Sequence, residues 1–251
     1  MYTDTEGIIL RQTKTVNGRR MVLLFSKKYG KISAGTGISE KGRNKAALAM
    51  RPFAYGRYEI FKSRQNFNIK GAEVLKSYYK IGEDVDKYMN SSYILELTEK
   101  LLAEEQQNTR MFDLLLDFFD AMEKRKKKYM TLVLAYETKA LGILGYMPEL
   151  SVCTICGKKN EPALLDIKEG GIVCRDCVNN AGHHDSHTLI YDIDFGIVDI
   201  LKYFLANSLK HLENLALEGD RPEKIKKILG EYISYHLEID KMKSEKYLTD
   251  N

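Results

Sequence analysis

The sequence predicts a multidomain α+β protein: a small closed β-barrel at the N-terminus, then an all-α helical domain with an inserted four-cysteine metal module. Three observations predict it. The apolar pattern has the short, turn-punctuated period of strands to about residue 80 and a helical period beyond it. Basic residues crowd the strand-rich part. Residues 1–80 hold 17 Lys and Arg against 5 Asp and Glu, a net +12, while the remainder holds 22 against 30, a net −8. Finally, all four cysteines fall in two Cys-x2-Cys pairs, Cys153/Cys156 and Cys174/Cys177, with 17 residues between the pairs.

In chain order, Gly7 to Leu10 is a short apolar run. Asn17-Gly18 after it is a strong two-residue hairpin signal, because a type I′ turn needs positive φ at both central positions. Met21 to Phe25 reads as a buried strand. Tyr29-Gly30 punctuates before Lys31 to Ala34. Beyond a Gly-rich bend, Tyr58 and Ile60 alternate with Arg57 and Glu59, the period of a half-buried strand, and Phe67 to Leu75 supplies a fifth. Five short strands with tight turns fit a small barrel, in which closure removes exposed edges.

From about residue 76 the period lengthens. Tyr93, Leu95, Leu97, Leu101 and Leu102 share a helical register. Residues 110–122 are apolar on nearly every face except at Asp113, Asp117 and Asp120, which predicts a central helix whose three Asp are solvated on its surface or salt-bridged to the charge run Lys124–Lys128, a metal pair of carboxylates being the weaker reading. Tyr129 to Leu144 predicts another helix; Gly145 suits its C′ position and Pro148 prevents continuation. Helical patterns resume at Phe195–Leu205 and Ile225–Leu237, with Pro222 near a helix start, where its missing N–H costs little. Residues 244–251 read as a frayed polar tail. The domain reading is therefore 1–80 for the barrel, 81–149 for the first helical part, 150–182 for the cysteine module and 183–251 for the second helical part.

In 251 residues, 44% hydrophobic and 29% charged positions make an ordinary globular composition. No run approaches the ~20 apolar residues of a membrane span. The first residues lack the basic-then-apolar order of a signal peptide, so the expected setting is cytoplasmic. A strongly basic third points to a polyanion, of which nucleic acid is the commonest there; plain surface solubility is the rival reading.

Two Cys-x2-Cys knuckles can place four thiolates on one ion, the donor set of a tetrahedral structural Zn2+ site. Gly157 gives the first knuckle backbone freedom, and Gly170-Gly171 suits a hairpin that delivers the second pair. Two disulfides, an iron–sulfur cluster and metal-free thiols are the alternatives. A closed four-thiolate site has no open coordination position and is structural. His183, His184 and His187 follow closely and read as a polar loop, because the shell is already full.

Signals of catalysis are weak. Gly37-x4-Gly42-Arg43-Asn44 resembles a phosphate-binding loop but has Arg for Lys and Asn for Ser/Thr, so the magnesium-binding hydroxyl is missing. His211 and His236 stand alone on helical patterns. The reading is of a protein that binds and is not an enzyme, with no small-molecule substrate. The basic residues cluster around turns: Arg19 and Arg20; Lys27, Lys28 and Lys31; Lys41, Arg43, Lys45 and Arg51. Tyr29, Phe53, Tyr55 and Tyr58 are interleaved with them. Cations that track phosphates and rings that stack on bases suit single-stranded nucleic acid; the rival for the rings is the barrel core.

Four segments together resemble the RecO family: GIILRQ…MVLLFSKKYGKISAGTGISEKGRNKAALAMRPF, AYETKALGILGYMPEL, CTICG and GGIVCRDC. The resemblance implies an N-terminal OB-fold, a single structural Zn2+ on Cys153, Cys156, Cys174 and Cys177, and a DNA-binding recombination mediator of the RecF pathway. Such a protein binds single- and double-stranded DNA, anneals complementary strands, and partners with RecR. It also engages the C-terminal tail of single-stranded DNA-binding protein, so that RecA is loaded onto coated strands. That tail calls for an apolar groove beside cations, for which Phe112, Leu115, Phe119 and Leu132 are candidate lining and Lys124–Lys128 a candidate rim, with a core position the safer reading for each apolar residue singly. A zinc-ribbon transcription or assembly factor acting through protein partners is the alternative, and an OB-fold nuclease or ligase a weaker one.

Overall fold

Five strands, β1 (Tyr2–Lys14), β2 (Arg20–Ser26), β3 (Gly30–Thr36), β4 (Ala54–Lys62) and β5 (Phe67–Ser77), close into a barrel in the order β1-β2-β3-β5-β4. The computed structural model describes residues 1–14, 20–64, 66–159, 162–180, 189–193, 195–212, 214–240 and 242–248; the Asn17-Gly18 turn, Arg19 and the three-histidine segment lie outside them. All pairings are antiparallel except that of β3 with β5. This parallel seam of three residue pairs, Ala34 with Phe67 to Thr36 with Ile69, closes the cylinder. Strand alternation drives the closure. Ala54, Gly56, Tyr58 and Ile60 of β4 point inward while Arg57 and Glu59 face solvent. Ile9, Val22, Leu24, Ile32, Ala34, Phe67 and Ile69 meet them in one core.

A five-residue helix, α1 (Lys45–Ala49), completes that core with Ala49 and Met50. The phosphate-loop look-alike leads into it. Asn44 is occupied there as an N-cap, its Oδ1 accepting the Ala47 amide at 2.8 Å. Tyr58 donates its hydroxyl to Ala49 O at 2.7 Å from inside the barrel.

The chain divides into two units, Met1–Tyr129 with Met242–Asn251, and Met130–Lys241. In the first, α2 (Tyr79–Gly82), α3 (Val85–Leu101) and α4 (Thr109–Lys124) pack on the barrel. Asp84 and Asn108 cap α3 and α4 by accepting the Lys87 and Met111 amides, each at 3.0 Å. An aromatic seam joins α4 to the strands. The Phe112 ring lies 5.2 Å from that of Phe25 and 6.2 Å from that of Tyr55, and Phe119 lies 5.7 Å from Phe53, all edge-on. The central character of α4 is as expected, but its consequence corrects a second expectation. Phe112, Leu115 and Phe119 are wholly buried, as is Leu132 within the other unit, so these four are core and line no groove. Asp120 pairs with Lys76 of β5 and not with the 124–128 run, whose Arg125 is itself buried with Nε donating to Lys128 O at 2.9 Å.

The tail is not frayed up to residue 248. The Glu96 carboxylate on α3 accepts the amides of Lys243 and Ser244 at 3.0 and 2.9 Å and the Ser244 hydroxyl at 2.5 Å. A 3₁₀ turn at Glu245–Tyr247 follows.

The second unit is built on α5 (Tyr129–Leu144), which ends at Gly145 with φ +80°, the left-handed C′ conformation expected there. It continues with β6 (Pro162–Asp166), β7 (Gly171–Cys174), α6 (Arg175–Asn180), β8 (Ile190–Asp192), α7 (Phe195–Ala206) and α8 (Arg221–Leu237). Pro222 sits in the first turn of α8. The region after the cysteines is not all-α: β8 joins the β6–β7 hairpin to make a sheet of order β7-β6-β8. Three residues are too short a run to show a period of two, which is why β8 is silent in the sequence.

Candidate metal centre and nucleic-acid interface

The cysteine module begins as a knuckle. Gly157 takes φ +71° and donates its amide to Cys153 O at 2.8 Å, a tight reversal that brings the first pair of sulfurs to one side. The strand β7 delivers Cys174, and the first turn of α6 delivers Cys177. Glu149 locks the two halves together: its amide donates to Gly170 O and its carbonyl accepts from Ile172 N, both at 2.9 Å. Gly171 is required by that contact, since a Cβ there would lie 2.5 Å from Glu149 O.

The four Sγ atoms lie within 4.8 Å of one another. None is in a disulfide. The Cys156–Cys174 separation is 3.8 Å, the edge of a tetrahedron with arms of about 2.3 Å, the length of a zinc–thiolate bond. The surroundings suit thiolate. Burial opposes ionisation of Cys153, but amide donors from Cys156, Cys174 and Ile155 outweigh it and hold its thiol down to about 6. Cys177 is pushed up to about 12 by burial and by its bonds to the other sulfurs. A bound dication removes that conflict, because a coordinating thiol is deprotonated outright. The geometry, the donor set and the N–H···S bond from Cys174 to Cys153, 3.3 Å long, all fit a metal held by these four residues.

The candidate DNA-contacting cations are not equivalent. Lys31 is turned inward: Nζ donates to Glu99 O at 2.8 Å, and burial lowers its pKa. Lys27 pairs with Glu6 at 3.3 Å and Lys45 with Glu73 at 2.8 Å. Arg20 lies 3.8 Å from Glu40. Lys28 donates to Thr3 Oγ1 at 2.7 Å. Arg51 braces the loop before α1, donating to Glu40 O and Gly42 O at 3.3 and 3.1 Å. On that loop Lys41 and Arg43 stand exposed and, among the described residues, carry no ion pair. Of the interleaved aromatics, Phe53 and Tyr58 are core, Tyr55 is half-buried against Phe112, and Tyr29 is half-buried against Phe67 at 5.5 Å. The turn lysines 27, 28 and 31 gather at one end of β2 and β3; Arg20 and the loop cations gather at the other.

Two family models cover this architecture, the N-terminal model of recombination protein O over residues 1–78 and its C-terminal model over residues 82–246. The chain belongs to the RecO family. Similarity to RecO proteins runs end to end. The DNA repair protein RecO of Caldanaerobacter subterraneus subsp. tengcongensis is 30% identical over 239 residues, 95% of this chain and 94% of that protein. That of Alkaliphilus metalliredigens is 29% identical over 95% of each chain, and that of Bacillus cereus 24% over 99% of this chain and 97% of the relative.

On this RecO barrel, charge clustering along the sequence missed three cations. Lys14, Arg64 and Lys70 are exposed and, among the described residues, make no ion pair. They stand apart along the sequence; strand register sets Lys14 opposite Arg20, and Arg20 opposite Thr36, which pairs with Ile69 beside Lys70. The wholly buried α4 aromatics also redirect the search for an apolar cleft. Within the first unit, a cleft of about 550 Å³ runs between β1 and α3, lined among others by Leu10, Pro52, Tyr88 and Leu95 with Arg11 and Lys100 at its edge. His211 closes a turn on Ser208 Oγ at 2.8 Å, and His236 bonds Ile167 O at 2.6 Å.

Proposed function

We propose that this chain is a DNA repair protein that acts as a recombination mediator without enzymatic activity. It binds single- and double-stranded DNA through the barrel, anneals complementary strands, and helps load the recombinase onto protein-coated single strands in the RecF pathway. The observation that carries the reading is a closed barrel bearing exposed cations without carboxylate partners, at Lys41, Arg43, Arg64 and Lys70, in a chain similar over its whole length to DNA repair proteins. Cations not already neutralised are the ones that release counterions from a nucleic-acid backbone. Arg20 and Arg51 support the loop or lie beside it, Lys28 stands at the other end of β2, and Arg19 belongs with Arg20 by sequence.

The ion at Cys153, Cys156, Cys174 and Cys177 is Zn2+, one per chain; it supplies a fixed tetrahedral crosslink and no chemistry. RecR and the C-terminal tail of single-stranded DNA-binding protein are its protein partners. The cleft between β1 and α3 is the more open candidate for that tail's apolar end than the buried Phe112 cluster; its cations Arg11, Lys100 and Lys243 stand among the carboxylates of Glu40, Glu96 and Glu99, and Arg11 is paired with Glu99 at 2.9 Å. The setting is the cytoplasm, at the nucleoid.

The test is binding to labelled single-stranded DNA across a salt series, with annealing of complementary strands measured without nucleotide or divalent metal. Log affinity should fall linearly with log salt, by about 0.7 per neutralised phosphate. A protein that neither binds nor anneals would favour the zinc-ribbon factor acting on protein partners.

A further inference from the structure

Where β3 ends and β5 begins, Arg20, Thr36, Ile38, Asn68, Ile69 and Lys70 wall a cavity of about 680 Å³ whose floor is Gly35 and Gly37. Among the described residues no carboxylate lines it. The Arg20 Nη1 is buried without a hydrogen-bond partner; the nearest carboxylate oxygen, Oε1 of Glu40, is 3.8 Å away, beyond hydrogen-bonding distance. Across the cavity Lys70 is exposed and, among the described residues, pairs with nothing. Thr36 Oγ1 accepts the Ile38 amide at 3.0 Å, which leaves its proton to donate. The floor is open: nothing lies within 4 Å of the place a Cβ would take at Gly37. At Gly35 a Cβ would come within 3.0 Å of Asn68 Oδ1. Glycine at such positions admits a ligand close to the backbone.

We infer that this cavity seats a phosphodiester group of a nucleic-acid strand, with Arg20 and Lys70 on either side of it. The inference rests on the nucleic-acid reading above and deepens it, by naming a contact point at the root of the basic loop, where β5 adds Lys70. An unsatisfied guanidinium donor, a second cation and a hydroxyl donor line the cavity, and the one carboxylate near them, Glu40, stands outside that lining at 3.8 Å from Arg20 Nη1. That combination selects a compact oxyanion, and guanidinium forms its best charge-assisted bonds to one. The two cations come from strands far apart in sequence. The parallel β3–β5 seam brings them together, since Thr36, which ends β3, pairs with both Arg20 and Ile69.

The experiment uses the full chain, a labelled oligothymidylate, and a duplex of equal length. Lys70→Ala should make the single-strand salt dependence shallower by about 0.7. Lys70→Arg should keep the parental slope. Because Lys70 is on the exposed side of its strand, neither change disturbs the core; Gly37→Val, which fills the floor, is the independent variant and should weaken binding. In a second readout, DNA should protect Lys70 from an amine-acylating reagent while Lys168 of the other unit reacts as before. A slope change with the single strand alone assigns the seat to unpaired chains; one shared with the duplex assigns it to the phosphodiester of either. If the parent binds DNA with a salt-dependent affinity, yet Lys70→Ala keeps the slope and DNA leaves Lys70 acylation unchanged, the seat is wrong and the nucleic-acid reading stands. If the parent binds neither DNA, both fall.

Discussion

The ammonium of Lys226 on α8 lies 2.8 Å from Oε1 of Glu137, a carboxylate on α5 with no exposure to solvent. Breaking such a pair from one side takes a counter-charge away from a buried carboxylate. Lys226→Met is expected to cost about 3–5 kcal/mol, whereas Lys226→Met combined with Glu137→Leu should recover most of that. Urea unfolding of the two variants checks it; equal losses would show that packing, and not charge, is what the lysine supplies.

Metal removal should act locally. One equivalent of zinc is expected to purify with the chain, and a chelator should raise hydrogen exchange across 149–178 while the barrel amides stay protected. So short a segment has little core of its own beyond Val173 and Val178 around the sulfurs, so its order depends on the ion. Intact thiols with no metal bound would end this account.

Gly30 is fixed by two constraints at once. It takes φ +69°, and a Cβ there would lie 2.0 Å from Gln106 O. Gly30→Ala should therefore displace the 102–108 connection, whose Glu105 amide donates to Lys31 O at 2.9 Å. The expected signs are a stability loss beyond the roughly 1 kcal/mol that left-handed backbone alone costs and faster exchange at residues 103–107. A wild-type exchange pattern would refute the close approach.

Docking of the last residues should respond to acid. Burial works against ionisation of Glu96, but the Ser244 hydroxyl and the Ser244 and Lys243 amides outweigh it and hold its carboxyl below the usual 4.5. A lowered folded value means that the stabilisation is complete above that ordinary value and drains away as pH falls through the folded one. The 242–248 segment should stay docked at neutral pH and detach only below about 4.5, and Glu96→Gln should weaken it at pH 7. Nuclear magnetic resonance of the Ser244 amide through an acid titration reports both.

The Lys41, Arg43 and Lys45 triple change to Ala should cost two phosphate contacts and not three. Lys45 is already held by Glu73, and the pairing raises its pKa. A salt slope shallower by about 1.4 is expected; a change near 2.1 would mean that the pair opens on DNA.

The barrel was legible because burial of one strand face writes a period of two, as Tyr58 and Ile60 show against Arg57 and Glu59. The cysteine cluster was legible because ligand spacing is local: the two cysteines of each knuckle are separated by two residues, and the knuckles by 17. The α4 aromatics were legible as a central, core-forming run, but a groove stayed open for Phe112, which reads the same in a groove and in an interior; Phe25 and Tyr55 across from it decide for the core. The basic residues behaved in the opposite way. Lys27 and Lys31 looked available because Glu6 and Glu99, which hold them, are remote in sequence. Lys70 looked ordinary because Arg20 is 50 positions away.

The bond from Lys243 to Glu96 spans 147 residues. During synthesis at about 5–20 residues per second, Glu96 therefore waits roughly 7–30 seconds after emerging before its partner is made. The first unit is the first to be translated and the last to be completed. Loss of Lys243 and Ser244 would leave the cysteine module and α8 untouched and strip the Glu96 carboxylate of its donors, so a change late in the chain would strike a helix made long before it.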